Sequence, residues 1–201
     1  MFAGVYPPVP TPFEDGKVSL SKLAANLDRW LATKLAGFVV AGSNGEAAYL
    51  SFEERLALIR EARRRAGDRR VIAGTGLETT AGTIELTRAS ADAGADAVLV
   101  LPPHFFTAAM TPDVLRRHYE AVADASPVPV FLYNVPRNTG VNLSADLVVE
   151  LSQHPNIAGL KDSGGDIVQI SDVIGRARPG FAVFAGSASL LFPAVAMGAQ
   201  G

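Results

Sequence analysis

The feature that most constrains this chain is a repeat of one unit. A short apolar run is followed by a polar turn, an amphipathic segment, and a Gly, Pro or Asn break. The apolar runs fall at residues 4–9, 37–41, 71–74, 97–101, 130–133, 157–160 and 181–185. They are continuous rather than alternating, which predicts strands buried on both faces, hence a parallel sheet covered by helices. Between them lie helical patterns with legible ends. Leu20, Leu23, Leu27 and Leu31 share one face after Ser19. Ser51 and Glu54 have capping-box spacing before a helix that ends near Gly67. A third helix runs from about 80 to 93, with Gly94 as its C′ residue. Thr111 and Pro112 open a fourth. Others start after Ser144 (ending near His154), near Asp166, and over about 190–197.

Strict strand–helix alternation means an α/β fold, either a closed barrel or an open doubly wound sheet. The regular repeat and the lack of GxGxxG after the first strand favour a (β/α)₈ TIM barrel. Such a barrel needs about 250 residues, and the chain has 201. Seven units are counted, and Gly201 falls where an eighth strand should begin. The reading is one domain over 1–201, apparently truncated after the seventh βα unit, with two apolar sheet edges left open. In that form the chain is expected to be insoluble or inactive.

Composition narrows the partners. A net charge of −2 gives no electrostatic case for nucleic acid or an anionic membrane. The apolar runs are short and broken, so no membrane span is expected. There is no cysteine, no basic-then-apolar leader at the N-terminus, and a cytoplasmic location is the expectation. The three histidines, His104, His118 and His154, have no paired ligand spacing, so no metal is expected. A GxSxG elbow is missing too, which disfavours a serine hydrolase.

In a parallel barrel the active site lies at the carboxyl ends of the strands. Those ends carry the chemistry-bearing residues. Lys161 closes the run Ile157 to Leu160, just before Gly164 and Gly165, and is the only lysine beyond Lys34. A lysine set among apolar residues at a strand end suits an amine nucleophile for carbonyl substrates, a role arginine cannot fill. Tyr133 ends the preceding strand, where a phenol could relay protons. Residues 42–46, Gly-Ser-Asn-Gly-Glu, form a turn whose N–H groups could hold a carboxylate, with Ser43 adding a hydroxyl. Gly186 allows close backbone approach to a ligand. Taken singly, each also reads as an ordinary turn, a capped half-buried tyrosine, or a lysine snorkelling to water.

Together these pieces resemble the dihydrodipicolinate synthase/N-acetylneuraminate lyase family, the pyruvate-dependent class I aldolases. The markers are Thr11-Pro12-Phe13, the 42–46 loop, Tyr133-Asn134-Val135-Pro136 and Lys161-Asp162-Ser163, in that order over essentially the whole chain. The resemblance implies an eight-stranded barrel with a C-terminal helical extension, usually assembled as a homo-oligomer, a dimer or tetramer. It implies a lyase that needs no cofactor beyond a covalent imine on Lys161 with a small 2-oxo acid. Tyr133 and Ser43 would be the catalytic relay. Ser43, Asn44, Gly45, Ser163 and Gly186 would shape the substrate pocket.

Two departures matter. The family often has a tyrosine after the fourth strand that enters the neighbouring subunit's site, and this chain has His104-Phe105-Phe106 there. Synthases of the family carry an arginine two residues after the Tyr-Asn-Val-Pro motif to bind the aldehyde's carboxylate. Here that position is Asn138, and Arg137 is one residue early. Within the family the chain resembles 4-hydroxy-2-oxoglutarate aldolase most, on Gly4-Val5-Tyr6-Pro7-Pro8-Val9, the 42–46 loop and the run Ser152–Asp166. Dihydrodipicolinate synthase or a 2-keto-3-deoxy sugar acid aldolase is the runner-up, and a non-catalytic ligand-binding relative comes after both.

Overall fold

The computed structural model describes residues 2–201. A two-residue hairpin, β1 (Phe13–Glu14) with β2 (Lys17–Val18), precedes α1 (Leu20–Leu31). Six parallel strands follow in sequence order: β3 (Gly37–Val40), β4 (Arg70–Gly74), β5 (Ala97–Val100), β6 (Val130–Asn134), β7 (Ile157–Asp162) and β8 (Ala182–Ala185). Between them run α2 (Phe52–Ala66), α3 (Thr80–Asp92), α4 (Pro112–Ala125), the single turn α5 (Pro136–Thr139), α6 (Ala145–Leu151) and α7 (Ile167–Arg176). After β8 comes α8 (Ala188–Ala196). The sheet curls with helices outside it, as a TIM barrel requires.

The helix starts follow from the caps in the sequence. Ser51 accepts from the Glu54 N–H while Glu54 accepts from the Ser51 N–H, a complete capping box. Thr111, Ser144 and Asp166 cap α4, α6 and α7 with their side-chain oxygens. Gly94 adopts φ +98 after α3, the left-handed turn that a Cβ would strain.

Two expectations about the sheet are corrected. Residues 4–9 do not form a continuous strand, because Pro7, Pro8 and Pro10 have no N–H for a ladder. They still run parallel to β3, bridging at Pro8 and Val39. The Val9 N–H donates to Val39 and the Val39 N–H to Pro7, each at 2.9 Å. Nor are both edges bare. Gln200 donates to Val183, Ala185 donates to Gly201, and Gly4 donates to Gln200. Gln200 and Gly201 thus join β8 to the opening segment.

The interior of the barrel is filled by Val39, Ile72, Leu99, Phe131 and Ala182, with Phe2 and Tyr6 below. Gly159 is needed there: a Cβ on it would come within 2.5 Å of the Phe131 ring. Residues two apart on a strand share a face, so Lys161 and Tyr133 point the same way as Gly159 and Phe131, into the barrel.

Candidate active site

Lys161 is the fifth residue of β7, not the residue after it. Its backbone pairs with Tyr133 on one side and Phe184 on the other, which fixes the amine's origin within the sheet. The side chain is half-buried, and its Nζ stands 4.4 Å from the centroid of the Tyr133 ring, a cation–π distance. Tyr133 is buried, and its hydroxyl lies 3.3 Å from Ser43 Oγ. The structure therefore brings Lys161, Tyr133 and Ser43 together from three separate parts of the chain.

The loop after β3 is built as a tight 3₁₀ turn, Ser43–Gly45. The N–H groups of Gly45, Glu46 and Ala47 donate back to Gly42 and Ser43. The N–H groups of Ser43 and Asn44, first in the turn, are the ones such a turn leaves for a ligand. Ala41 and Glu46 enter and leave this loop at φ 53 and φ 57. Left-handed backbone at non-glycine residues costs roughly 1–3 kcal/mol each, and surrounding contacts must hold it. One such contact is Thr11, whose hydroxyl donates to the Gly45 carbonyl at 2.6 Å. The Thr11-Pro12-Phe13 motif thus has a mechanical role: it pins the loop that carries Ser43.

A second brace lies behind Lys161. The buried Asp162 carboxylate accepts from the Gly164 N–H at 2.7 Å, Asn134 Nδ2 at 2.9 Å and Gln169 Nε2 at 3.2 Å. Asn134 Oδ1 in turn accepts from the Leu143 N–H. The Ser163 N–H donates to the Asn134 carbonyl, and the Gly186 N–H to the Asp162 carbonyl. Gly186 has no room for a side chain, since a Cβ would sit 1.9 Å from Ser163 Oγ.

Two cavities meet across this cluster. One, of about 220 Å³, is bordered by Lys161, Gly186, Phe131, Phe184 and the Tyr6-Pro7-Pro8 segment. The other, of about 260 Å³, is bordered by Ser43, Tyr133, Glu46, Arg55, His104, Asn138 and Thr139. Leu99 borders both. Among the expected site residues, Lys161 and Gly186 face the first, while Ser43 and Tyr133 face the second. Asn44, Gly45 and Ser163 border neither: Asn44 is exposed, Gly45 is a loop anchor, and Ser163 packs on Gly186. Arg137 is exposed and turned away from the cavity that Asn138 borders.

Sequence reasoning missed Arg55, although the signal was available. Arg55 lies on the apolar face of α2 with Ile59, Ala62 and Ala66, and all four are buried. A charged residue in step with a core stripe is a reason to ask what it faces. Phe105 and Phe106, where the family tyrosine was expected, are 77% and 71% exposed. Among the described residues no group of three or more His, Cys, Asp and Glu is placed to hold a metal ion. No helix is long and apolar enough to cross a membrane.

The family model for the dihydrodipicolinate synthetase family matches residues 1–201. The chain belongs to that family. It is a carbon–carbon lyase of the pyruvate-dependent class I aldolase type. A 4-hydroxy-tetrahydrodipicolinate synthase of Methanospirillum hungatei is 40% identical over 206 residues, covering 100% of this chain and 70% of the relative. One from an Exiguobacterium species is 38% identical, with 100% and 69% covered. Among solved structures, the chloride-inhibited dihydrodipicolinate synthase of Acinetobacter baumannii, complexed with pyruvate, superposes with a TM-score of 0.95 at 37% identity. All of this chain and 69% of that one are covered.

These matches correct one expectation. Residues 4–9, the 42–46 loop and the run 152–166 resemble a 4-hydroxy-2-oxoglutarate aldolase, and Asn138 speaks against the synthase. The relatives, at 38–40% identity along the whole chain, are instead named for the synthase reaction. Three short segments and one missing arginine carry less weight than that. A carboxylate can also be met from another direction, so position 138 alone does not set the acceptor.

Proposed function

We propose that this family member is a synthase. It condenses pyruvate, held as an imine on Lys161, with a carboxylate-bearing amino aldehyde. Adding back the water lost on ring closure to the 4-hydroxy-tetrahydrodipicolinate for which the relatives are named, and then subtracting pyruvate, leaves aspartate semialdehyde. The observation that carries the proposal is the placement of Lys161 Nζ over the Tyr133 ring, with Ser43 on the phenol's hydroxyl.

In this scheme the neutral Lys161 amine attacks C2 of pyruvate, and the carbinolamine oxygen leaves as water. The Tyr133 hydroxyl delivers that proton, with Ser43 as its hydrogen-bonding neighbour. The Ser43 and Asn44 N–H groups receive the pyruvate carboxylate. Loss of a C3 proton gives an enamine, which forms the new carbon–carbon bond with the aldehyde approaching from the Tyr133 side. The phenol returns a proton to the new alkoxide; the acceptor's own amino group then attacks the imine carbon, closing the ring and expelling the Lys161 amine. No metal or organic cofactor takes part. Assembly as a homodimer or tetramer, with Phe105 and Phe106 covered, and a cytoplasmic location belong to the same reading.

The test is reduction with borohydride in the presence of pyruvate, followed by peptide mass spectrometry. The expected result is an adduct on the Lys161 peptide, absent in Lys161→Ala, and pyruvate consumption when aspartate semialdehyde is added. Lack of the adduct overturns the imine. An adduct without turnover on any aldehyde overturns the synthase.

A further inference from the structure

Arg55 is the one charged side chain in the cavity beside Tyr133 that is almost wholly buried, at 7% exposed. Among the described residues the side chain's only hydrogen bond runs from a terminal nitrogen to the Ala47 carbonyl, at 2.5 Å. No carboxylate lies within ion-pair distance among the described residues. Burial lowers its pKa, with no acidic neighbour offsetting the effect. A guanidinium has five donors, so most of its hydrogen-bonding capacity is directed elsewhere. None of its nitrogens is sealed off without a partner, and the side chain borders the cavity.

Stability does not account for this arginine. An unpaired cation in a buried site carries a desolvation cost. Arg55 also sits in the first turns of α2, where the helix dipole disfavours positive charge. The same two facts make the spot attractive to an anion. A carboxylate would gain a planar two-pronged donor and the positive end of α2 together. Asn138, where the family's synthases place arginine, borders the same cavity but carries no charge.

We infer that Arg55 is the residue that binds the carboxylate of the aldehyde substrate, taking the place of the arginine missing at position 138. This rests on the condensation reading above. Pyruvate spans from Lys161 to the Ser43–Asn44 turn across Tyr133, and the acceptor enters from the Arg55 side with its aldehyde toward the phenol.

The test uses purified enzyme with Arg55→Gln and Arg55→Lys, assayed on aspartate semialdehyde and on its methyl ester. For Arg55→Gln the expected result is a rise of tenfold or more in KM for the acid. KM for pyruvate should stay within twofold, and borohydride trapping on Lys161 should be unchanged. Turnover of the ester should change less than twofold, because its lost charge makes Arg55 irrelevant. Arg55→Lys keeps the charge without the fork and should fall between, which keeps the test usable if the glutamine variant folds poorly. Equal losses on acid and ester would mean that Arg55 merely holds the Ala47 turn, and would overturn the inference. An unchanged KM for the acid would overturn it too. Absence of the Lys161 adduct in the unmutated enzyme would instead sink the underlying reaction.

Discussion

Tyr133→Phe separates chemistry from architecture in this site. The substitution keeps the ring under Lys161 Nζ, so the 4.4 Å cation–π contact survives. Only the hydroxyl is lost, and with it the 3.3 Å bond to Ser43. That distance is long for an O–H···O bond, and half-exposed Ser43 can turn to water. The stability cost should therefore be below about 1 kcal/mol. Loss of a positioned proton relay costs about 10²–10⁴ in rate, or roughly 3–5 kcal/mol of barrier at 1.36 kcal/mol per decade. The assay is initial rate with pyruvate and aspartate semialdehyde, paired with thermal unfolding. The expected result is kcat down at least a hundredfold, KM for pyruvate within threefold, and Tm nearly unchanged. Ser43→Ala should lose less, and the double variant should match Tyr133→Phe alone, because the two act as one unit. Activity within threefold of the parent would refute the relay. A large fall in Tm would show that the hydroxyl is structural.

Two further predictions concern what holds the site in place. Asp162→Ala removes the acceptor shared by the Gly164 N–H, Asn134 and Gln169; urea unfolding should show a loss of about 2–4 kcal/mol. His118, whose Nε2 is buried without a partner and whose Nδ1 meets the Thr80 hydroxyl, is driven by burial from 6.5 to about 4. The unfolded chain therefore binds the extra proton first, so stability is flat above pH 6.5 and falls as pH drops toward 4. The fall should approach about 3 kcal/mol, and His118→Phe should remove that slope from a pH series of melts.

How much was legible in the sequence depended on whether the signal was local. Strand runs and caps are local, and the six sheet strands and the Ser51, Thr111 and Asp166 helix starts sit where composition put them. Lys161 and Asp162 look polar, so hydrophobicity alone ends their strand two residues early. Their ladder to Tyr133 and Asn134 on one side, and to Phe184 and Ala185 on the other, keeps them in the sheet. Residues 4–9 looked like a strand by hydrophobicity, but their prolines permit only a bridge. Thr11 shows the reverse case. Its hydrogen bond spans 34 positions to Gly45, a relation that no window of sequence contains.

The division of the site explains why the reaction class was easier to read than the substrate. The imine half is set by residues at strand ends: Lys161 and Tyr133 are neighbours in one ladder, and register alone brings them together. A substitution that preserved the strands would preserve the amine and the phenol. The acceptor half is lined by α2, residues 46–49 and α5, segments whose side chains meet only through the packing of helices on the sheet. Its one buried charge comes from a helix rather than from the loop after β6. A motif at 136–138 therefore describes one wall of that cavity, while Arg55 on another wall carries the charge a carboxylate needs. Acceptor choice in such a barrel can change through one helix position while every strand-end residue stays as it is.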